Sequence, residues 1–184
     1  MTAPQSFIQQ LGDPQGQWRP LSSFPVRSQP GQRSASHYDA SLDQFDVDHS
    51  ARYRPRDGKT FCNIFCWDVT AAMGAEMPHW LTREGAPTWP SSIAHETSAN
   101  KLADLLPAWG WKDCNEAHAI VMAAGGHPVV ALWKNPHGHG HMGMLEPLPR
   151  DIIPEIAMAG LVCGRHIPLP NAFGGRVVTW WWHD

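Results

Sequence analysis

One stretch of the chain constrains its fold more than any other. From Thr60 onward Phe61, Ile64, Phe65, Val69, Ala72 and Met73 recur at helical spacing, with Thr60 placed as an N-cap and Gly74 as a stop. A helix patterned in this way commits one face to a core. Downstream the texture changes. Pro128 to Trp133 is an apolar, β-branched run that reads as a buried strand, Asn135-Pro136-His137-Gly138 is turn chemistry, and His141 to Leu145 reads as the returning strand of a hairpin. Between these regions, Asn100 to Trp109 predicts a helix with Leu102, Leu105 and Leu106 facing inward. Asn115 to Ala124 predicts another, capped by Asn115 and ended by Gly125-Gly126. Ile152 to Ala159 fits either helix or strand, and Val177 to Trp182 reads as a last strand. Helices first and strands after predict an α+β domain with an antiparallel sheet.

The first 41 residues have a different character. They are rich in Pro, Gln, Ser and Gly, and such a segment cannot bury enough apolar surface to offset its own ordering entropy. Residues 1–41 are expected to form a flexible arm or a strap on the domain surface, anchored in the second case by Trp18, Phe24 and Val26. The compact domain is expected over residues 42–184, opening with a short strand at Phe45 and Val47 and a turn from Tyr53 to Gly58.

Composition narrows the function classes. Apolar residues make up 42% and charged residues 17%, which suits a packed domain rather than a disordered chain. A formal net charge of −3 gives no electrostatic reason to expect nucleic acid or an anionic membrane as partner. No run of about 18 apolar residues occurs, so no membrane span is expected. Met1 to Gln10 lacks the basic and apolar regions of a signal peptide, which predicts synthesis in the cytoplasm. The cysteines at 62, 66, 114 and 163 are irregularly spaced, and free thiols are expected rather than a disulfide framework.

The helix and the hairpin carry the residues with chemistry. Cys62 falls in the first turn of the predicted helix, where unpaired N–H groups and the positive end of the dipole favour a thiolate and lower its pKa. The same N–H groups can receive the oxyanion of a tetrahedral intermediate. The alternative is a small core residue, against which Cys62 lies off the main apolar stripe. Cys66, one turn deeper, is expected to pack. His137, His139 and His141 alternate at a spacing that zinc can use, but the intervening Pro and Gly suggest a turn and no carboxylate supports them. No metal and no cofactor are expected. His141 precedes the apolar Met142-Gly143-Met144-Leu145, so a strand would hold its imidazole rigidly, as a general base requires. Gly140 and Gly143 are expected to leave room for a substrate chain.

These residues carry a resemblance. Asp43-Gln44-Phe45-Asp46-Val47, Arg52-Tyr53-Arg54-Pro55 and Thr60 to Val69 resemble the opening of bacterial and phage cysteine amidohydrolases of the NlpC-like and CHAP group. Val129 to Pro136 with Gly140-His141-Met142-Gly143 is similar to the histidine-bearing hairpin of that group. The closing Trp182-His183-Asp184 is similar as well, and the likeness extends over residues 42–184. It implies a papain-like core, with helices packed on an antiparallel sheet. It implies further a peptidase or amidase acting on the stem peptides of peptidoglycan, with Cys62 as nucleophile and His141 as base. Such enzymes carry a third polar residue on the strand after the histidine. Here that strand offers Glu155, with Glu146 poorly placed and Met158 standing where an amide or acid is expected, so the expectation is a dyad. Asn63 is expected to support the helix start, and Asp68 to satisfy loop backbone. Aromatics can stack on sugars, but at least half of the 10 tryptophans are expected in the core.

A wall-cutting enzyme without a signal peptide implies another route to the periplasm. Injection by a contractile secretion machine as an antibacterial toxin and phage-style release at lysis both fit; the absence of a wall-binding repeat favours the first, which implies a cognate immunity protein over the cysteine cleft. Two other classes fit the same residues: a papain-like protein deamidase or transglutaminase, and a non-catalytic metal-binding interaction module built on the histidines.

Overall fold

The structure is a computed structural model that describes residues 6–13, 16 and 18–184. Along the chain run α1 (Phe7–Gly12), α2 (Ala35–Asp43), α3 (Cys62–Ala72), β1 (Trp80–Leu81), β2 (His95–Glu96) and α4 (Ala99–Leu105), which continues into a 3-10 turn (Leu106–Trp109). Then follow β3 (Lys112–Cys114), α5 (Glu116–Ala124), β4 (Val129–Trp133), β5 (His141–Leu145), β6 (Glu155–Ala159), β7 (Cys163–Pro168), α6 (Leu169–Phe173) and β8 (Thr179–Trp182). Among the described residues six strands form one sheet in the order β3-β8-β4-β5-β6-β7, antiparallel at every pairing, and β1 and β2 form a separate two-stranded sheet. The molecule is therefore α+β.

The core lies where α3 packs on β5 and β6. Val129 to Leu132 and the whole of Glu155 to Ala159 are buried, which decides the ambiguous stretch before Ala159 in favour of strand. α3 is buried well beyond its predicted stripe, because Cys66, Trp67, Asp68 and Thr70 also face protein. Its cap differs from expectation. Phe61 occupies the N-cap position without any side-chain hydrogen bond, and Thr60 stays outside the helix. Gly74 does follow the helix end, at φ 65°. Strands β3 and β7 lie at the sheet edges, and their sequences (Lys-Asp-Cys and Cys-Gly-Arg-His-Ile-Pro) carry too little alternation to announce themselves.

Two expectations about the first half change. Phe45 and Val47 are fully buried but sit in turns, not in a strand. Asp46 between them adopts a left-handed φ of 45°, and its carbonyl accepts from the N–H groups of His49 and Ser50. The expected boundary at 41/42 runs through α2, whose fully buried Tyr38 hydroxyl donates to the Val129 carbonyl at 3.3 Å and accepts from its N–H at 3.2 Å. The segment before α2 lies on the domain as a strap. Trp18 meets Phe61 edge-on at 5.3 Å, Phe24 meets Phe45 at 6.1 Å, and the main chain of Val26 bonds both ways to the Gln44 side chain at 3.0 Å.

Arg52 ties these parts together. Its Nε donates to Asp68 Oδ2 at 2.6 Å and its Nη2 to Oδ1 at 3.0 Å, with side chains 1% and 2% exposed. Tyr53 donates its hydroxyl to the same carboxylate at 2.8 Å, and the guanidinium also reaches the carbonyls of Gly16 and Arg19. Asp68 thus binds side chains from the loop before α3, rather than loop backbone as expected. Asp68→Ala would strand a buried guanidinium, which costs about 3–5 kcal/mol. Urea denaturation should show that loss, and a double Arg52→Met/Asp68→Leu variant should recover most of it. An unchanged urea midpoint in Asp68→Ala would disprove the role of the pair.

Candidate active site

Cys62 is the first residue of α3 and only 6% exposed, yet it lines an open cavity of about 400 Å³ with Trp18, Lys59, Asn63, Glu96 and His139. The main-chain N–H groups of Met142, Asn63 and Cys62 itself act on the sulfur. Burial raises the thiol pKa, these N–H groups pull it back down, Glu96 pushes it up again, and the net direction is up. The expected depression by the helix terminus is therefore overturned. Desolvation of the anion outweighs the N–H groups that would stabilise it.

His141 is the first residue of β5, paired with Trp133 across the hairpin. Its ring packs on Phe173 at 5.2 Å, and Gly160 lies so close that a Cβ there would come within 3.2 Å of Cε1. Nε2 stands 3.2 Å from the Met158 sulfur. A thioether can only accept, so a hydrogen bond here selects the tautomer with its proton on Nε2 and a lone pair on Nδ1. Burial, seconded by the cation of Arg176, pushes the imidazole down to about 4. His141 opens on a second cavity of about 320 Å³ shared with Trp133, Met158, Leu161, Phe173 and Arg176. Thr60 lines both cavities, so they adjoin at the start of α3. Among the described residues no hydrogen bond joins the Cys62 sulfur to the imidazole. Both groups rest neutral near pH 7.

Neither carboxylate considered as a third residue touches His141. Glu155 accepts from His166 Nδ1 at 2.8 Å and from the Arg150 N–H at 2.9 Å, while Glu146 accepts from Arg165 at 3.0 Å and from the His166 N–H at 3.1 Å. Met158 takes the orienting position instead.

The three histidines do not share a face. Gly140 at φ 77° breaks the alternation, so that His139 lines the Cys62 cavity and His141 the other. Among the described residues no three His, Cys, Asp or Glu groups converge as a metal-ligand set. Asn100 shapes the turn that presents both rings, donating to the carbonyls of Asn135 and Gly138 and accepting from the Asn135 N–H. The glycines have structural work there. A Cβ on Gly140 would collide with Asn100 and the Trp133 carbonyl, and one on Gly143 with Ile156, so the space expected for substrate at Gly143 is filled by β6.

Asn63 does more than support the helix start. Its Oδ1 accepts from the Ile64 N–H at 3.0 Å, and its Nδ2 donates to Glu96 Oε1 at 3.0 Å and the Thr97 carbonyl at 2.9 Å, which fastens the β2 segment to the lip of the cleft. Cys66 is fully buried as packing, and all four cysteines are free. Trp180 is buried; Trp181 and Trp182 are half-buried. Sequence reasoning missed Trp18, Glu96, Phe173 and Arg176, which no local pattern links to the site. No protein-family model matches the chain, and no curated protein matches it either.

The pKa directions have measurable consequences. Alkylation of Cys62 by iodoacetamide, resolved by peptide mass spectrometry, should rise continuously with pH and stay slower at pH 7 than that of free cysteine. A plateau of reactivity between about pH 4 and 8 would reveal a preformed thiolate–imidazolium pair and contradict this arrangement. Because the folded pKa of His141 is depressed to about 4, stability is whole above the unfolded value of about 6.5 and falls as pH drops between the two, by up to roughly 3 kcal/mol. Denaturation midpoints of wild type and His141→Gln should converge across that window.

Proposed function

We propose that this chain is a cysteine amidohydrolase of papain-like arrangement that cuts amide bonds in the stem peptides of peptidoglycan, with Cys62 as nucleophile and His141 as base. The observation that carries the reading is a juxtaposition. The thiol at the start of α3 feels the N–H of Met142, the residue that follows His141 in β5, and the two cavities on which thiol and imidazole open adjoin at Thr60. The sequence resemblance of the cysteine and histidine blocks supports the substrate class.

The resting protonation decides the form of the first step. With the imidazole at about 4 and the thiol pushed above cysteine's ordinary value, ionising the two groups separately before attack is unfavourable. The proton therefore leaves sulfur as the sulfur–carbon bond forms, with Nδ1 of His141 receiving it and the Met158 contact holding the tautomer. The developing oxyanion lies toward the N–H groups at the start of α3. The imidazolium then protonates the amide nitrogen, the carbon–nitrogen bond breaks, and a free amine departs from a thioester. Water gives one proton to His141 and its hydroxyl to the acyl carbon. The carboxylic acid leaves, and the thiol recovers its proton.

In this reading the protein acts in the periplasm or cell wall, and an immunity protein would cover the Cys62 cavity in the producing cell. Muropeptides incubated with the wild-type protein should yield paired fragments that together exceed the parent by one water. Cys62→Ala and His141→Ala should each lower the rate at least a thousandfold. Intact muropeptides after prolonged incubation with wild type, at a pH where the fold is stable, would sink the proposal.

A further inference from the structure

We propose that the cavity beside His141 is a subsite for the departing amine half of the substrate, and that Arg176 makes it selective for an amine whose residue bears a free carboxylate. The inference rests on the hydrolase reading and names its substrate more closely. His141 must deliver its proton to the leaving nitrogen, which requires that nitrogen within about 3 Å of the imidazole. Whatever the nitrogen carries then fills the space on which His141 opens.

That space has a definite chemistry. Its volume of about 320 Å³ is the size of one or two amino-acid residues, and Trp133, Met158, Leu161 and Phe173 give it apolar walls. Among the described residues that line it, Arg176 is the one titratable side chain besides His141. The guanidinium is held in place without being used up. Nη1 donates to the Phe173 carbonyl at 2.9 Å, and the group lies over the Trp133 ring at 4.5 Å.

Among the described residues no carboxylate pairs with Arg176. Arg52, by contrast, is committed to Asp68, and Arg165 to Asp39, Asp43 and Glu146. A stacked, tethered guanidinium with donors to spare suits a carboxylate bound through two hydrogen bonds, since little orientational entropy is left to lose. The cavity on the Cys62 side differs, because Lys59 and Glu96 line it together and its charges offset one another.

Occupancy would also affect the chemistry. The Arg176 cation helps hold the imidazole pKa low. A carboxylate on the guanidinium would offset that field, so His141 would become a better base when the substrate is seated.

The test uses the full chain carrying Cys62→Ala, titrated by calorimetry and NMR with alanyl-alanine dipeptides of either configuration, as the free acid and as the C-terminal carboxamide. The acid in at least one configuration should bind ten times more tightly than its carboxamide or better, and the His141 ring resonances should titrate at higher pH with the acid present. Arg176→Gln, in the same background, should bring the acid down to the affinity of the carboxamide. Arg176→Lys should keep part of the preference. Equal affinity for acid and carboxamide, a preference that survives Arg176→Gln, or no saturable binding of either acid at 20 mM would each overturn the subsite. Acid-selective binding together with intact muropeptides would leave the subsite standing and remove the hydrolase reading; cleaved muropeptides without the preference would do the reverse.

Discussion

The buried pair between Arg52 and Asp68 joins three parts of the chain. Asp68 belongs to α3, Arg52 to the loop that leads into it, and the guanidinium spends its remaining donors on the Gly16 and Arg19 carbonyls of the strap. Between those two carbonyls stands Trp18, which packs on Phe61 at the N-cap of α3 and lines the cavity of Cys62. One ion pair out of reach of water thus links the helix that carries the thiol, the wall of its cleft and the strap. Such a pair contributes less net stability than its geometry suggests, because desolvating both charges is costly. Its effect is to specify where the strap lies.

The electrostatics of the site follow from burial more than from helix geometry. First-turn N–H groups favour a thiolate, but at a sulfur this enclosed the loss of hydration dominates and the thiol stays protonated. His141 suffers the opposite shift for the same reason, with Arg176 adding to it. A thiol and an imidazole that rest neutral are protected from stray electrophiles, and in the proposed reaction they acquire charge only as a bond forms. Met158 fits that scheme. A sulfur acceptor fixes the imidazole tautomer without placing a carboxylate beside it that would draw the ring into its protonated form.

Much of the frame was legible in the residues. The apolar spacing after Thr60, the Asn115 cap with Gly125-Gly126 behind α5, and the β-branched run into Trp133 each state a local preference strong enough to survive folding. The errors have physical causes. Phe45 and Val47 alternate like a strand because both reach the core, but Asp46 turns the backbone between them. The expected boundary at 41/42 cut α2 because that helix has few apolar residues, and its burial comes from Tyr38 and Leu42 meeting the rest of the domain. The edge strands β3 and β7 were silent because pairing with a neighbour, not their own pattern, makes them strands.

The sequence by itself determined that Cys62 lies in the first turn of a helix and that His141 begins a strand, since both follow from spacing, turn residues and β-propensity within a few positions of each. Only the tertiary structure decided what surrounds them. Met158 comes to His141 from β6, Phe173 and Arg176 come from the end of α6 and the turn after it, and Trp18 and Glu96 come to Cys62 from two further segments. Charge and solvation at a site are summed over whatever is close in space. A one-dimensional pattern records only what is close along the chain, and so it placed the two reactive groups on their elements but misjudged the ionisation of the thiol.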